Sequence, residues 1–516
     1  VSYPKKTLKV RPTRGVVLDL PANEVAPDFY TQGRNVGFRN GFAERIGGRR
    51  NAYTQNDVNP VFHLRNVRAP GGVTESNFWI VFGTASIKAL ETSNKSTITG
   101  AALTPVTSPW QWSSTLLNNI PAFTNGEDAP RYWAGDVGTP AAALPGWPAG
   151  TICKSIVAFK FHLFALDIDS PTAHLESQIM WSDAAAAGTV PATWTAAVTN
   201  QAGSAILADT SGPCMCGVPL QDTLLVFKRS STYAVNYLEG NPRIFSVRLL
   251  DGARGALTRH AAVDVGGKVF LVADGEIYLT DGVNWQPIAG GRIRDYLFGQ
   301  LDQASYENLF VMFDRAKGEV WVCYPTTGNT YCNEAMVYAL AADAWSAPRD
   351  LTAMTCGDVG IINDTAPSEA WDVDAGTWDS DASAWNAANF SLAVEQLMTG
   401  GNSAALYVEN DATATAVAAN VFRHDLTFGA PERMKFIRRL HVRTDETPGT
   451  LYVRVGARNS ITAPIAWDTE RALIPPASFV NVRAQGRFIS YEVRGQDTDI
   501  WGTSGCDLEG DLRGYV

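Results

Sequence analysis

Between residues 223 and 298 strands and turns alternate so tightly that the chain is constrained to an antiparallel sheet protein. Leu224, Leu225, Val226 and Phe227 are followed by the polar turn Arg229-Ser230-Ser231, then by Tyr233, Ala234 and Val235, and after Asn241-Pro242 by Ile244, Phe245, Ser246 and Val247. Short β-branched and aromatic runs bounded by turn residues read as a meander. Further on, residues 269–273 and 276–280 flank Asp274-Gly275, a dipeptide suited to positive φ, so this pair predicts a type I′ hairpin. A second such turn, Asp281-Gly282, reverses the chain again, and Trp285 returns to cover the hairpin.

Trp285 follows Tyr278 by seven residues, and Trp345 follows Tyr338 by the same interval. In both places a strand reaches Tyr, runs through a polar turn and closes on Trp. A hairpin precedes the second copy, with strands at 309–313 and 320–324 around Lys317-Gly318. Two small sheets, each closed by an aromatic, predict radial repetition, that is, a β-propeller of undetermined blade number.

The 45 Gly and 27 Pro in 516 residues fit many strands joined by turns, and the length allows two or three domains. One short helix is expected where Ile293, Tyr296, Leu297 and Leu301 share a face. No apolar run is long enough to span a bilayer, since 156–166 is broken by Lys160 and His162. The basic segment 1–12 lacks the apolar centre of a secretion signal. Seven cysteines, of which only Cys214 and Cys216 lie close together, read as buried free thiols. The net charge of −10 is uneven, because residues 1–50 carry ten basic against four acidic side chains. An acidic body argues against a surface that grips nucleic acid, while leaving room for a channel through which it slides.

In chain order, the expected organisation begins with an N-terminal arm and hairpin at 1–58. A propeller follows at 59–365 with a long loop insertion near 91–150, including strands at 78–82 and 159–163. An acidic Trp-repeat and connector occupies 366–420, and a separate antiparallel sandwich or barrel lies at 421–516. The fold class is thus all-β, a propeller combined with a sandwich or barrel. Met180 and Trp181 followed by Trp194 form a looser version of the closing pattern. In the hairpin, Asn40-Gly41 is among the strongest short turn signals, with Val36, Phe38, Phe42 and Ile46 expected inward and Arg39, Glu44 and Arg45 outward. The hairpin is expected to pack with the C-terminal domain, which makes the propeller an insertion.

This hairpin, together with Phe227-Lys228-Arg229-Ser230-Ser231-Thr232-Tyr233, Gly266-Gly267-Lys268-Val269-Phe270-Leu271 and Asp274-Gly275, resembles the tail tubular or nozzle proteins of short-tailed bacteriophages. The resemblance spans most of 15–300 and rests on structural spacing. It implies a virion protein made in the host cytoplasm and assembled as a homohexameric ring below the portal-adaptor ring, with propellers outside. Tail fibre or needle proteins would be neighbours, double-stranded DNA would pass through at ejection, and the distal end would meet the host outer surface.

No catalytic residue, cofactor or metal is expected, and the chain is not read as an enzyme. Asp374-Ala375-Gly376-Thr377-Trp378 approaches an Asp-box, but Asp372 stands where that motif has Ser, and the box is a turn-forming device even in hydrolases. Trp371, Trp378 and Trp385 recur every seven residues among Asp372, Asp374, Asp379 and Asp381; these residues favour successive turns over a helix, with calcium as a weaker alternative. The six histidines include no zinc-type pair, and His162 reads as a packing or solvent-face residue. Neither a phosphate-cradling Gly-Lys-Ser/Thr loop nor a Gly-x-Ser-x-Gly elbow occurs. The alternative function is a propeller glycoside hydrolase or glycan-binding module acting on the host envelope, which needs paired carboxylates that no spacing singles out. Arg34, Arg39, Arg45, Arg49 and Arg50, with Arg438 and Arg439 in the cluster that includes Arg433, Lys435 and Arg443, are either solvated strand faces or subunit-interface residues.

Overall fold

A computed structural model describes residues 5–53, 58–70, 77–91, 94–238, 244–362, 395–411, 417–444, 450–474, 477–495 and 501–515. Antiparallel strands dominate it. Blade one contains His63–Arg68, Asn77–Phe82, Ile87–Glu91 and Asn94–Thr97, and blade two Ser113–Leu117, Ile120–Thr124, Arg131–Tyr132 and Ala142–Ala143. Blade three follows with Ile152–Phe159, His162–Ser170, Ala173–Trp181 and Gly203–Ile206, and blade four with Cys214–Leu220, Thr223–Lys228, Thr232–Tyr237 and Phe245–Asp251. Blade five is Ala262–Asp264, Val269–Ala273, Glu276–Thr280 and Trp285–Pro287, and blade six is Phe310–Asp314, Glu319–Tyr324, Cys332–Ala339 and Ala344–Trp345.

The first strands of successive blades lie side by side, and the ring closes where Arg349–Ile361 meets His63–Arg68. That long strand pairs at its start with Cys332–Ala339 of blade six and at its end with Glu395–Gly401. Blade seven is therefore Arg349–Ile361, Glu395–Gly401, Ser403–Asp411 and, from the other end of the chain, Gly48–Tyr53. A strand contributed by distant sequence thus completes the seventh blade among the described residues and ties the two ends of the ring together.

Both chain ends build the second body. One six-stranded sheet joins Lys5–Val10, Val36–Arg39 and Phe42–Arg45 to Arg433–Thr444, Phe479–Gly486 and Gly502–Tyr515. The other joins Gln32–Arg34 to Asn420–Leu426, Leu451–Arg458, Ala466–Trp467, Arg471–Leu473 and Phe488–Gly495. The chain leaves these sheets for blade seven after Arg45 and returns at Asn420, so the propeller is an insertion. The apolar interior is not separate from the propeller. Val36, Phe38, Ile437, Leu440 and Tyr491 belong to the same buried cluster as Phe270, Leu297 and Trp345. Gly15, at φ +105°, makes part of this junction: a Cβ there would sit 2.7 Å from the Trp345 carbonyl oxygen.

Several local expectations hold. Asn40 (φ +49°) and Gly41 (φ +80°) form the two-residue I′ turn between Arg39 and Phe42. The helix is Arg294–Gln300, with Ile293 and Leu297 fully buried at its base. The seven cysteines are buried and unpaired, and His162 is buried with its Nδ1 2.9 Å from the Ser182 carbonyl.

Others are corrected. Asp274-Gly275 does connect paired strands, but only Gly275 has positive φ, so the turn is not type I′. The stretch 159–163 is not one strand, because Lys160, at φ +54°, turns the chain between Phe159 and His162. Much of the supposed insertion near 91–150 is blade two, whose last two strands are only two residues long; buried Trp112 and Trp133 flank that blade. Trp194 closes no strand; it is buried in a connection and packs edge-on against Trp147 at 4.7 Å. The turn register pairs Phe38 with Ala43 and Val36 with Arg45, so Ala43 and Arg45 face inward while Phe42 and Ile46 are half-buried. The propeller also draws strands from the expected arm and connector, at 48–53 and 395–411. Trp371, Trp378 and Trp385, with Asp372, Asp374, Asp379 and Asp381, lie outside the described residues.

Candidate functional site

Charged side chains gather where the hairpin crosses blades six and seven. Blade six is largely apolar but buries three acids, Asp314, Glu319 and Glu334, and the side chains of the last two are 2% and 5% exposed. Carboxylates buried to this degree require partners, and the hairpin supplies them. Arg34 donates to Glu334 at 2.6 Å and pairs with Asp350 at 2.8 Å. The Tyr324 and Tyr296 hydroxyls donate to the other Glu334 oxygen at 2.5 and 2.9 Å. Asn35, at φ +56°, donates through Nδ2 to Asp350 Oδ2 at 2.8 Å and accepts from the Asp350 amide at 2.9 Å.

The electrostatics follow from this packing. Burial opposes the charge on Arg34, but Glu334 and Asp350 outweigh it and hold the guanidinium above its ordinary pKa. Tyr296 is pushed up to about 12, first by burial and then by the Glu334 carboxylate. Each phenol is thus a firm hydrogen-bond donor at neutral pH.

Further along the hairpin, Arg39 donates Nε and Nη2 to one Glu319 oxygen at 2.9 and 2.6 Å. Arg49 pairs with Glu409 at 2.8 Å and lies 3.9 Å from the centre of the Tyr407 ring, while Arg50 reaches Asp411 at 2.5 Å. Arg45 is only 6% exposed, which excludes it from a solvated face. In the sheet built from both chain ends, Arg438 pairs with Asp511 at 2.5 Å and Arg439 with Glu509 at 3.7 Å, both arginine side chains remaining about half exposed. Arg34, Arg39, Arg49 and Arg50 therefore have acidic partners within the chain: Arg34 and Arg39 clamp the hairpin segment to the propeller, whereas Arg49 and Arg50 pair between neighbouring strands of blade seven. Arg438 and Arg439 sit on a different, open sheet face.

The closing aromatics differ in register despite equal spacing. Tyr338 and Trp345 are direct cross-strand partners with centroids 4.9 Å apart, and the Trp345 indole donates to the Ile288 carbonyl at 2.8 Å. Tyr278 pairs with Pro287 and Trp285 with Thr280, so their edge-on contact at 5.9 Å is diagonal. Asp281 accepts from the Val283 and Asn284 amides, and the Asn284 bonds hold its carboxyl down at about 2.

At the propeller axis, Arg259 pairs with buried Asp167 at 2.7 Å and lies 5.7 Å from the centre of the Trp110 ring. His63 and His260 stack at 5.8 Å, and His63 Nε2 is 2.7 Å from Ser114 Oγ. Burial lowers both imidazoles, His260 to about 4, so His63 is a weak base toward Ser114. Among the described residues no group of three or more metal-ligating side chains converges.

The sequence reading missed Glu319, Glu334, Trp321 and Arg349. A usable signal was present, since a Glu inside each apolar strand marks a buried charge in need of a partner.

No family model matches the chain, and no curated protein matches it. Solved structures similar to it are β-propellers. The WD40 propeller domain of Doa1 is 8% identical, with a TM-score of 0.39 over 70% of this chain and 97% of that one. The Cps50 (Swd1) propeller domain of Myceliophteria thermophila is 10% identical, with a TM-score of 0.41 over 71% and 99%. YCF48 bound to a D1 peptide is 9% identical, with a TM-score of 0.34 over 80% and 96%.

Proposed function

We propose that this protein is a structural component of a short-tailed phage tail, forming a ring that conducts and seals genome DNA below the portal-adaptor. The observation that carries this reading is the architecture. Both chain ends interleave in one pair of sheets, and the propeller leaves that pair through blade seven and is clamped to it by Arg34 and Arg39. A platform built in this way is suited to ring assembly with the propeller held outside, as the sequence resemblance implies. Arg438 and Arg439 lie on the outer face of a platform sheet, where an acidic neighbour would set register. The ring would be a homohexamer, with tail fibre or needle proteins and the host surface at its distal end. The protein acts without chemistry of its own: subunit contacts hold the ring, and a lumen that is acidic or neutral lets duplex DNA slide.

The test is electron microscopy of the purified chain, alone and with its adaptor ring. A symmetric ring around a channel wide enough for duplex DNA is the expected result. A chain that stays monomeric beside the adaptor and releases sugar from envelope polysaccharide would replace this reading with the glycan-directed one.

A further inference from the structure

Two surfaces of this chain carry opposite charge in excess. The first is the outer face of the sheet that joins Lys5–Val10, Gly502–Tyr515, Arg433–Thr444 and Phe479–Gly486. The inner face of these strands buries Leu440, Val480 and Leu508 in one cluster with Val453 and Ile489 of the second sheet. On the outer face Asp511 pairs with Arg438, Glu509 with Arg439, and Asp507 with both Arg443 and Arg11. Lys9 stands opposite Asp507 in the register, Arg483 alternates with buried Val482 and Ala484, and Arg513 lies over Phe436. None of these three has a carboxylate partner among the described residues. Even with Glu44 of the adjoining strand counted, seven cations stand against four carboxylates. The acids also lie beneath the arginines. Asp507, Glu509 and Asp511 are 11%, 28% and 6% exposed, whereas Arg443, Arg439 and Arg438 are 53%, 48% and 54% exposed, so the face presents guanidinium outward. Arg439 lies 5.1 Å from the centre of the Phe479 ring and Arg513 4.3 Å from that of Phe436. Arginines held on aromatic rings are pre-organised, and interface energy concentrates on such residues.

The second surface is the seam where the N-terminal arm crosses the end of blade five and the helix. There the Leu18 and Asp19 amides donate to the Arg292 carbonyl, and Asp19 accepts from the Tyr296 amide. Asp28, Asp343 and Asp295 pair with Arg14, Arg292 and Arg294. Asp19 and Glu276 both stand within electrostatic reach of Arg294, which Asp295 already engages, and Asp274 is on the turn before Glu276. Glu24 lies on the same arm above buried Arg423, which donates to the Ala22 and Val25 carbonyls. Seven carboxylates therefore stand against four arginines, an excess that mirrors the one on the sheet face.

We infer that these two surfaces meet between copies of this chain, the basic sheet face of one copy against the acidic arm seam of the next. The contact is heterologous, and such contacts close into a ring where the rotation permits and otherwise run on as a filament. Opposite potentials steer the approach and fix its register. A protein partner fits better than a nucleic acid, because the Asp507, Glu509 and Asp511 row would lie like charge against like beneath a phosphate backbone. The inference rests on the ring reading and names the surfaces that build it, although a filament through the same contact would keep the inference and remove the ring.

Sedimentation velocity of the full chain at low and high salt tests it, with two variants. Lys9→Gln/Arg483→Gln/Arg513→Gln and Glu24→Gln/Asp274→Asn break no ion pair, so both should keep the wild-type Tm. The wild type should self-associate, less so as salt rises, and each variant alone should associate about tenfold more weakly or worse. Mixed together, the variants retain one intact contact between them and should form a one-to-one heterodimer. Association equal to wild type in both variants overturns the inference and leaves the ring; variant-sensitive association with no closed ring in micrographs does the reverse. A wild-type chain that stays monomeric at low salt also overturns it, as does association unmoved by salt, which decides the matter should a variant fail to fold. A labelled DNA duplex bound by the wild type without self-association, and released by the triple variant, would replace the second copy with nucleic acid.

Discussion

Replacing Glu334 by Ala isolates the contribution of the clamp. The carboxylate accepts from Tyr324, Tyr296 and Arg34, and its side chain is 5% exposed. On its removal, fully buried Tyr324 has an orphaned hydroxyl, which costs about 1–3 kcal/mol. Arg34 is 38% exposed and keeps Asp350, so its loss is screened and adds about 1 kcal/mol or less. Tyr296 is half-buried and regains water. The expected total is about 3 kcal/mol, read by guanidinium unfolding, or about 3 °C in Tm if the chain unfolds as one unit. Glu334→Gln, which still accepts from a phenol, should cost less than Glu334→Ala. The cycle with Tyr324→Phe is the sharper test: removing both partners should recover about 1 kcal/mol or more relative to Glu334→Ala alone. A Glu334→Ala cost under about 0.5 kcal/mol, or a double variant no more stable than the single one, refutes the claim that this carboxylate satisfies the buried phenol.

Asn40→Val should cost about 1–2 kcal/mol, because a β-branched side chain is forced to φ +49°, whereas Asn40→Gly should stay within about 0.5 kcal/mol; urea midpoints decide both. Trp345→Ala removes a side chain 1% exposed and should cost about 3–5 kcal/mol, with lost near-ultraviolet dichroism as its signature. Burial lowers His260 and His424 to about 4. Because these native imidazoles resist protonation, the unfolded chain binds protons first. Their contribution is complete above pH 6.5 and is lost as pH falls from 6.5 towards 4, by at most about 3 kcal/mol each. Unfolding free energies across that window should flatten by one proton's slope in His260→Gln.

Where a signal was local, the sequence carried it. Asn40-Gly41 announced its turn, and the alternating runs of blades four to six announced their strands. The same turn also contained the register that was misread: a two-residue loop at 40 and 41 obliges residues 38 and 43, and 36 and 45, to share a face. Ala43 and Arg45 therefore go inward whatever their polarity, and the more apolar Phe42 takes the other side. Blade two escaped because strands of two residues at 131–132 and 142–143 are too short to show a period. The clamp was half legible. The hairpin arginines stood out, but their partners lie about 300 positions away, and no spacing within one strand encodes a pairing across that distance.

Blade seven was beyond local reading for the same reason, and this bears on how the protein holds together. Its outer strand, 48–53, pairs with 403–411, and only 45–48 separates it from a strand of the platform. Closing the ring therefore fixes the hairpin's distance from the propeller, and pairing the hairpin with 502–503 fixes in turn where 48–53 arrives. Neither closure has its contacts until a loop of several hundred residues is brought together. The entropy of that closure grows only logarithmically with length and is shared by both bodies once either has formed. The Arg34 and Arg39 ion pairs lie at this shared seam and tie the hairpin strand to blade six directly. Their loss should loosen ring and platform together, so that the propeller and the sheets that carry it unfold as one cooperative unit and not as two.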